Sequence, residues 1–171
     1  MTAATRTPST RAARSTLMTD TRAARTSKSV PRLAGLTAVA ILTVAFGVHA
    51  YWGAGGQWAA ATAFGSPDVP PPAASAAVAI LIALAALLLL ARIGILATPL
   101  PGRMVRVGTW VLAVAFALAG INNLIQPQDA YARDWHIYFF GPLLLTLAAL
   151  CAIANRSCVA GEVPTAVRPS S

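Results

Sequence analysis

The sequence contains few charged residues and very few acidic ones. Only 11% of its 171 residues are Asp, Glu, Lys or Arg, and just five of them are acidic. A soluble domain usually has about a quarter of its residues charged. Hydrophobic residues make up 57% of the chain and the mean hydropathy is +0.66. These values argue against a water-exposed surface and favour an integral membrane protein with the length of one domain.

Cysteine and histidine are also scarce, with two of each. Cys151 and Cys158 are expected at and just beyond the cytoplasmic end of the last helix, where a reducing environment disfavours a disulfide. His49 and His136 lack the spacing of a metal motif such as HExxH. The sequence has no Walker loop, no GxSxG and no GxGxxG between a strand and a helix. We therefore predict no cofactor, no metal site and no catalytic residue, which disfavours an enzyme without excluding one.

Four uncharged apolar segments dominate the chain. They predict transmembrane helices at about 33–52, 73–91, 107–125 and 137–154. Each has close to the ~20 residues that a helix needs to cross the hydrocarbon core. Short connections favour antiparallel packing of consecutive helices. The predicted fold class is therefore all-α, an integral membrane four-helix bundle with up-down-up-down topology.

The segment that precedes the first span is basic and poor in large apolar residues. Residues 1–32 are predicted to be a disordered cytoplasmic tail, because they bury too little surface to offset the entropy of folding. Met18 is an alternative start, and residues 155–171 are predicted to be a flexible cytoplasmic tail. A basic run can also bind nucleic acid, but the rest of the chain offers no such fold, so no nucleic-acid partner is expected. The first span could instead be a signal peptide, but it exceeds the usual length of about 7 to 15 apolar residues.

Basic residues predict the orientation of the bundle. With the N-terminus inside, twelve of the thirteen basic residues are cytoplasmic and only Arg133 lies outside. The positive-inside rule therefore predicts that both termini are cytoplasmic. Arg92 follows the second segment and is expected to snorkel to the interface. The excess of arginine over lysine suggests a bacterial genome, hence the bacterial cytoplasmic membrane. The expected partners are the lipid bilayer and other membrane proteins or a second copy.

Unusual side chains concentrate near the predicted outer end. Two interpretations of this cluster stay open. Trp and Tyr gather at membrane interfaces, so the cluster can be an aromatic belt. Alternatively it forms an outward-facing pocket, in which His49 would bond to Asp134 or Asn122, because polar groups at membrane depth need partners. The candidate cluster consists of His49, Tyr51, Trp52, Asn122, Asn123, Asp134, His136 and Tyr138.

The stretch from His49 to Gly56, with sequence HAYWGAGG, resembles the motif of a bacterial family of small membrane proteins known as domain of unknown function 3995. The similarity continues through residues 116–123 and 131–138 and spans roughly residues 33–154. Asp134 and Tyr138 fit the family's pattern, whereas Pro142 comes later than usual and His136 replaces a basic residue. The resemblance implies a four-helix membrane fold and no known activity.

Three functions remain open at this point. The first is a non-enzymatic membrane protein that acts through lateral or extracytoplasmic contacts. The second is a membrane-embedded enzyme or small-ligand binder whose pocket lies near His49, Asn122 and Asp134. The third is a transporter or channel subunit, although no span carries the central charges typical of an ion pathway.

Overall fold

The computed structural model describes residues 10–64, 71–125 and 133–156, and for residues 10–28, 62 and 64 it describes only the backbone. No strand occurs in these ranges. The helices are α1 (Thr10–Gly53), α2 (Ala60–Phe64), α3 (Pro72–Arg92), α4 (Gly102–Ile125), α5 (Arg133–Trp135), the π-helical turn (His136–Phe140) and α6 (Gly141–Ala154). The last three follow one another without a break and form one continuous helix.

Four stretches of helix are long and apolar enough to cross a membrane. Many of their leucine, isoleucine and valine side chains are exposed, as expected of a surface that lipid covers. The predicted all-α fold with four membrane helices is thus confirmed. We name these stretches spans 1 to 4: Ser29–Gly53, Pro72–Arg92, Gly102–Ile125 and Arg133–Ala154.

The helices extend beyond the predicted segments in two places. The backbone of α1 is helical from Thr10, although the sequence predicts disorder over residues 1–32. Alanine and arginine are good helix formers, and lengthening an existing helix needs no new nucleus. Residues 1–9 and the predicted tail beyond Arg156 lie outside the described residues. Span 4 is helical from Arg133, so Asp134 belongs to a helix and not to the connection before it.

Consecutive spans run antiparallel and pack as two hairpins. Span 1 packs most extensively against span 2 and span 3 against span 4, and the hairpins meet mainly through spans 1 and 4. Small residues in the core let the helices approach closely. The core between the hairpins includes Ala38, Leu42, Leu89, Leu147 and Cys151.

The antiparallel arrangement gives the bundle two chemically different ends. At the Arg92 end, spans 1 and 3 begin and spans 2 and 4 finish. At the His49 end, the opposite termini of the spans come together. Of the arginines whose side chains the structure describes, only Arg133 belongs to the His49 end.

Arg92 is buried inside the protein, with 3% of its surface exposed. Its Nε donates to Oδ1 of Asn155 at 2.7 Å, and its Nη2 donates to the main-chain carbonyl of Asn155. Nδ2 of Asn155 in turn donates to the carbonyl of Arg106 at 3.2 Å. Asn155 follows the last residue of α6, where a cation stabilises the free carbonyls of a helix C-terminus. The expectation that Arg92 snorkels is therefore wrong, because it links the ends of spans 2, 3 and 4.

Candidate functional site

The turn that follows span 1 folds back over the end of the bundle. The Trp52 side chain is buried, and its Nε1 donates to the carbonyl of Trp58 at 2.8 Å. Ala60 is fully buried, whereas the Trp58 side chain is 74% exposed. Ala59 adopts a positive φ of 59°, a backbone conformation that costs energy for a residue with a Cβ. The turn is thus anchored by the Trp52 indole, with a strained residue beside it.

Three glycines make this turn sterically feasible, each for a different reason. A Cβ on Gly53 would lie 3.1 Å from the backbone of Ala76 in span 2, so the glycine allows the two helices to touch. Gly55 has a φ of +93°, which favours glycine. Gly56 lies against the Tyr51 ring, and any side chain there would overlap that ring. The glycines of the HAYWGAGG stretch therefore have structural roles.

His49 lies one helical turn below Trp52, and the two rings meet edge to face at 5.0 Å. Nδ1 of His49 is buried and has no hydrogen-bond partner among the described residues. Asn122 and Asp134 are both exposed on the outside of the bundle. The predicted hydrogen bond from His49 to Asp134 or Asn122 is therefore wrong.

His136 pairs with Asn123, and this contact determines which ring nitrogen of His136 carries the proton. Nδ1 of His136 lies 2.5 Å from Oδ1 of Asn123. Nδ2 of Asn123 donates to the carbonyl of Ala119 at 2.8 Å, which leaves Oδ1 as the acceptor. Nδ1 of His136 must therefore carry the proton, and in the neutral ring Nε2 carries a lone pair. This Nε2 is buried and has no hydrogen-bond partner among the described residues.

The π-helical turn brings His136 to Asn123. Pro142 has no N–H and its ring clashes with the carbonyl four residues earlier, so the regular helical bonding fails there. The N–H of Gly141 bonds instead to the carbonyl of His136, five residues earlier, which closes a π turn. A Cβ on Gly120 would lie 3.1 Å from the carbonyl oxygen of Gly141, so spans 3 and 4 touch at these glycines. The close contact between spans 3 and 4 and the extra residue of the π turn together determine where the His136 ring points.

The other members of the predicted cluster face outwards. Tyr51, Asp134 and Tyr138 are exposed, and Tyr138 is 78% exposed. Asn122 is exposed as well, in a shallow open groove whose other lining residues are apolar. The structure thus brings His49 to Trp52 and His136 to Asn123, but it does not gather all eight residues into one cluster. The groove is lined by Leu118, Ala119, Ile121, Asn122 and Ile125.

Sequence reasoning missed Ser75, which is 3% exposed in the first turns of span 2. Its Oγ has no hydrogen-bond partner among the described residues. The carbonyl of Pro71, four residues earlier, already accepts N–H groups from residues 74 and 75. A serine near a helix N-terminus resembles a cap, so no sequence signal marks it. Three threonine hydroxyls in the other spans do bond to the carbonyl four residues earlier, each at 2.8 Å: Thr43, Thr109 and Thr146.

Comparison with known proteins identifies a sequence family for this chain. Among the described residues, no group of three or more His, Cys, Asp or Glu side chains could hold a metal ion. No curated protein and no solved structure matches the chain. Residues 44–151, more than half of the chain, match the family described as "Protein of unknown function (DUF3995)". This match includes the turn after span 1, the His136–Asn123 pair and Ser75. The chain belongs to the DUF3995 family.

Proposed function

We propose that the protein is a non-enzymatic component of the bacterial cytoplasmic membrane that acts through lateral contact, with span 3 as its contact surface. The observation that carries this proposal is the exposed amide of Asn122 on the outer surface of span 3, about one turn before the helix ends. We define the Asn122 face as Ala115, Leu118, Ala119 and Asn122, which recur at helical spacing. An amide that hydrocarbon surrounds costs free energy unless it finds a hydrogen-bond partner. A second transmembrane helix can supply that partner.

The side chains next to Asn122 also suit a helix partner. Ala115 and Ala119 are four residues apart, and small residues at this spacing let two helices approach closely. Leu118 is 63% exposed and lies next to them, where it can pack against a partner. Hydrogen bonds between transmembrane helices contribute about 0.6 to 2 kcal/mol each. The Asn122 face thus offers one hydrogen-bonding amide together with an apolar surface on which a second helix can pack closely.

The partner that we propose is a second copy of the chain. All copies insert with the same orientation, so their Asn122 side chains lie at the same depth. A carboxamide both donates and accepts hydrogen bonds, so two of them across a twofold axis satisfy each other. Another membrane protein would need a polar side chain at that same depth, whereas a second copy has one automatically.

Cross-linking from Leu118 tests this proposal in native membranes. Cys151 and Cys158 are first replaced by alanine, and a single cysteine is introduced by Leu118→Cys. We expect a cross-linked dimer whose yield falls several-fold when Asn122→Leu is added. The control is Ile80→Cys on span 2, which is equally exposed to lipid at 61%. Equal yields at the two positions, or a yield that Asn122→Leu leaves unchanged, would contradict lateral contact through this face.

The orientation is a separate part of the proposal, with both termini in the cytoplasm. Four exposed arginines of the described chain lie at the Arg92 end, which supports placing that end on the cytoplasmic side. A periplasmic reporter fused after Asp129 should then be active, and one fused after Arg103 inactive. The reverse pattern would refute the orientation. The four arginines are Arg32, Arg103, Arg106 and Arg156.

A further inference from the structure

Three exposed arginines lie close together at the Arg92 end of the bundle. Nδ2 of Asn155 donates to the main-chain carbonyl of Arg106 at 3.2 Å, so the end of span 4 touches the first turns of span 3. Arg156 follows Asn155 directly, and consecutive Cα atoms are only about 3.8 Å apart. Arg103 precedes Arg106 by three residues, a spacing that makes two helical residues neighbours on the surface. We refer to Arg103, Arg106 and Arg156 together as the basic patch.

The described part of the chain does not balance the charge of the basic patch. None of the three arginine side chains has a hydrogen-bond or ion-pair partner among the described residues. Asp134 is the one acidic residue whose side chain the structure describes, and it lies at the opposite end of the bundle. The buried Arg92, which bonds to Asn155, adds a fourth positive charge next to the patch. The patch therefore attracts anions.

The surface of span 3 changes from basic to apolar directly inside the patch. Trp110 lies four residues after Arg106 and Val114 four residues after Trp110, so the three side chains share one side of the helix. The Trp110 side chain is 51% exposed and the Val114 side chain 54%. Trp110 lies about 6 Å deeper than Arg106 along the helix. A cationic group followed by an apolar strip matches the order of phosphate and acyl chain in a lipid, whereas a soluble anion would leave the strip unused.

We propose that the basic patch binds the phosphate of an anionic phospholipid, whose acyl chain lies along Trp110 and Val114. A guanidinium can donate two parallel hydrogen bonds to phosphate oxygens, so Arg106 and Arg156 are suited to hold one phosphate from two helices. Basic sites between transmembrane helices are typical binding sites for anionic headgroups. Binding here depends neither on the orientation of the chain nor on contact through the Asn122 face.

The same arginines select against a zwitterionic phospholipid. Phosphatidylethanolamine carries an ammonium group beside its phosphate, and like charges brought together across an interface are unfavourable. No described carboxylate at this end of the bundle can receive that ammonium group. Phosphatidylglycerol carries the same phosphate with an uncharged headgroup and avoids the repulsion.

Quenching of Trp110 by brominated lipids tests the proposal in membranes of defined composition. The full-length protein is reconstituted into phosphatidylcholine vesicles that contain a small and equal fraction of phosphatidylglycerol or phosphatidylethanolamine, each brominated near the top of its acyl chains. Bromine quenches indole fluorescence on contact, and the quenching that Trp110→Phe removes is the contribution of Trp110. The other three of the four tryptophans belong to the His49 end. We expect the Trp110 contribution to be at least about threefold larger with phosphatidylglycerol than with phosphatidylethanolamine.

Arginine variants connect this excess to the basic patch. Arg106→Gln should lower the excess, and adding Arg156→Gln should abolish it. The hydrogen bond from Asn155 uses the main-chain carbonyl of Arg106 and therefore remains in both variants, which unfolding in SDS verifies. Replacing both arginines with lysine keeps the charges and should retain a preference for phosphatidylglycerol. Arg133→Gln removes one exposed arginine from the opposite end and should leave the excess unchanged.

Four results would overturn the proposal. The first is equal quenching by the two lipids in the parent protein. The second is an excess that the glutamine variants leave unchanged, or that Arg133→Gln lowers as much as Arg106→Gln does. The third is a folded lysine variant without any preference. The fourth is loss of the excess when phosphate replaces chloride at the same ionic strength, which would assign the patch to a soluble anion.

Discussion

Replacing Asn155 with alanine removes two of the three hydrogen bonds that join spans 2, 3 and 4 at the Arg92 end. The variant loses the amide oxygen that accepts from Nε of Arg92 and the amide nitrogen that donates to the carbonyl of Arg106. Arg92 keeps its bond to the main-chain carbonyl of residue 155. A hydrogen bond to a charged group contributes about 1.5–3 kcal/mol and a neutral one about 0.5–1.5 kcal/mol. We therefore expect the free energy of unfolding to fall by about 2–4.5 kcal/mol.

Unfolding by SDS in mixed micelles measures this loss. Arg156→Ala is the matched control, because Arg156 is the exposed neighbour and its loss should change stability by less than about 0.5 kcal/mol. A double-mutant cycle of Arg92→Met with Asn155→Ala should give a coupling of at least about 1.5 kcal/mol. An Asn155→Ala variant within about 0.5 kcal/mol of the parent, or an additive cycle, would refute this account of the Arg92 end.

Three further predictions concern the His49 end. Ala59→Gly should raise the free energy of unfolding by about 0.5–1 kcal/mol, because glycine relieves the positive φ; a lower stability would contradict the strain. Gly53→Ala should lower it by at least about 1 kcal/mol by pushing span 2 away, whereas Gly47→Ala, which meets no atom within 4 Å, should not; both are read in the same SDS titration. Pro142→Ala should convert the π turn to regular helix and rotate His136 by about 100° away from its partner on span 3. In ¹⁵N NMR of the histidine-labelled protein, the signal of His136 Nδ1, which contacts Asn123, would then change. An unchanged signal would show that proline does not cause the π turn.

The four membrane helices could be predicted because a single free-energy cost, that of an unpaired backbone polar group in hydrocarbon, determines that they form. An unpaired backbone group in hydrocarbon is so unfavourable that a long apolar run has to be helical, whatever its neighbours do. The partner of Arg92 could not be predicted in this way. The sequence shows that Arg92 lies at the end of span 2. It does not show that the side chain turns inwards, which happens because Asn155, 63 positions later, offers two acceptors. A contact of that kind depends on helix packing, which no local pattern encodes.

The same limit applies to the candidate site. The sequence concentrates histidine, asparagine and aromatic residues at one end of the bundle, but it does not show which of them face inwards. Asn122 and Asn123 are adjacent, yet only Asn123 reaches His136, because successive helix residues point about 100° apart. The π turn adds one residue to span 4 and shifts the direction of His136 again. Ser75 was missed because its burial depends on the close contact between Gly53 and span 2.

Packing accounts for most of the HAYWGAGG stretch but not for its histidine. Trp52 anchors the turn, while Gly53 and Gly56 are required by close contacts with span 2 and with an aromatic ring. His49 contributes an edge-to-face contact that a phenylalanine ring would make equally well. A phenylalanine would also avoid burying Nδ1 without a partner among the described residues. Stability alone therefore disfavours histidine at position 49.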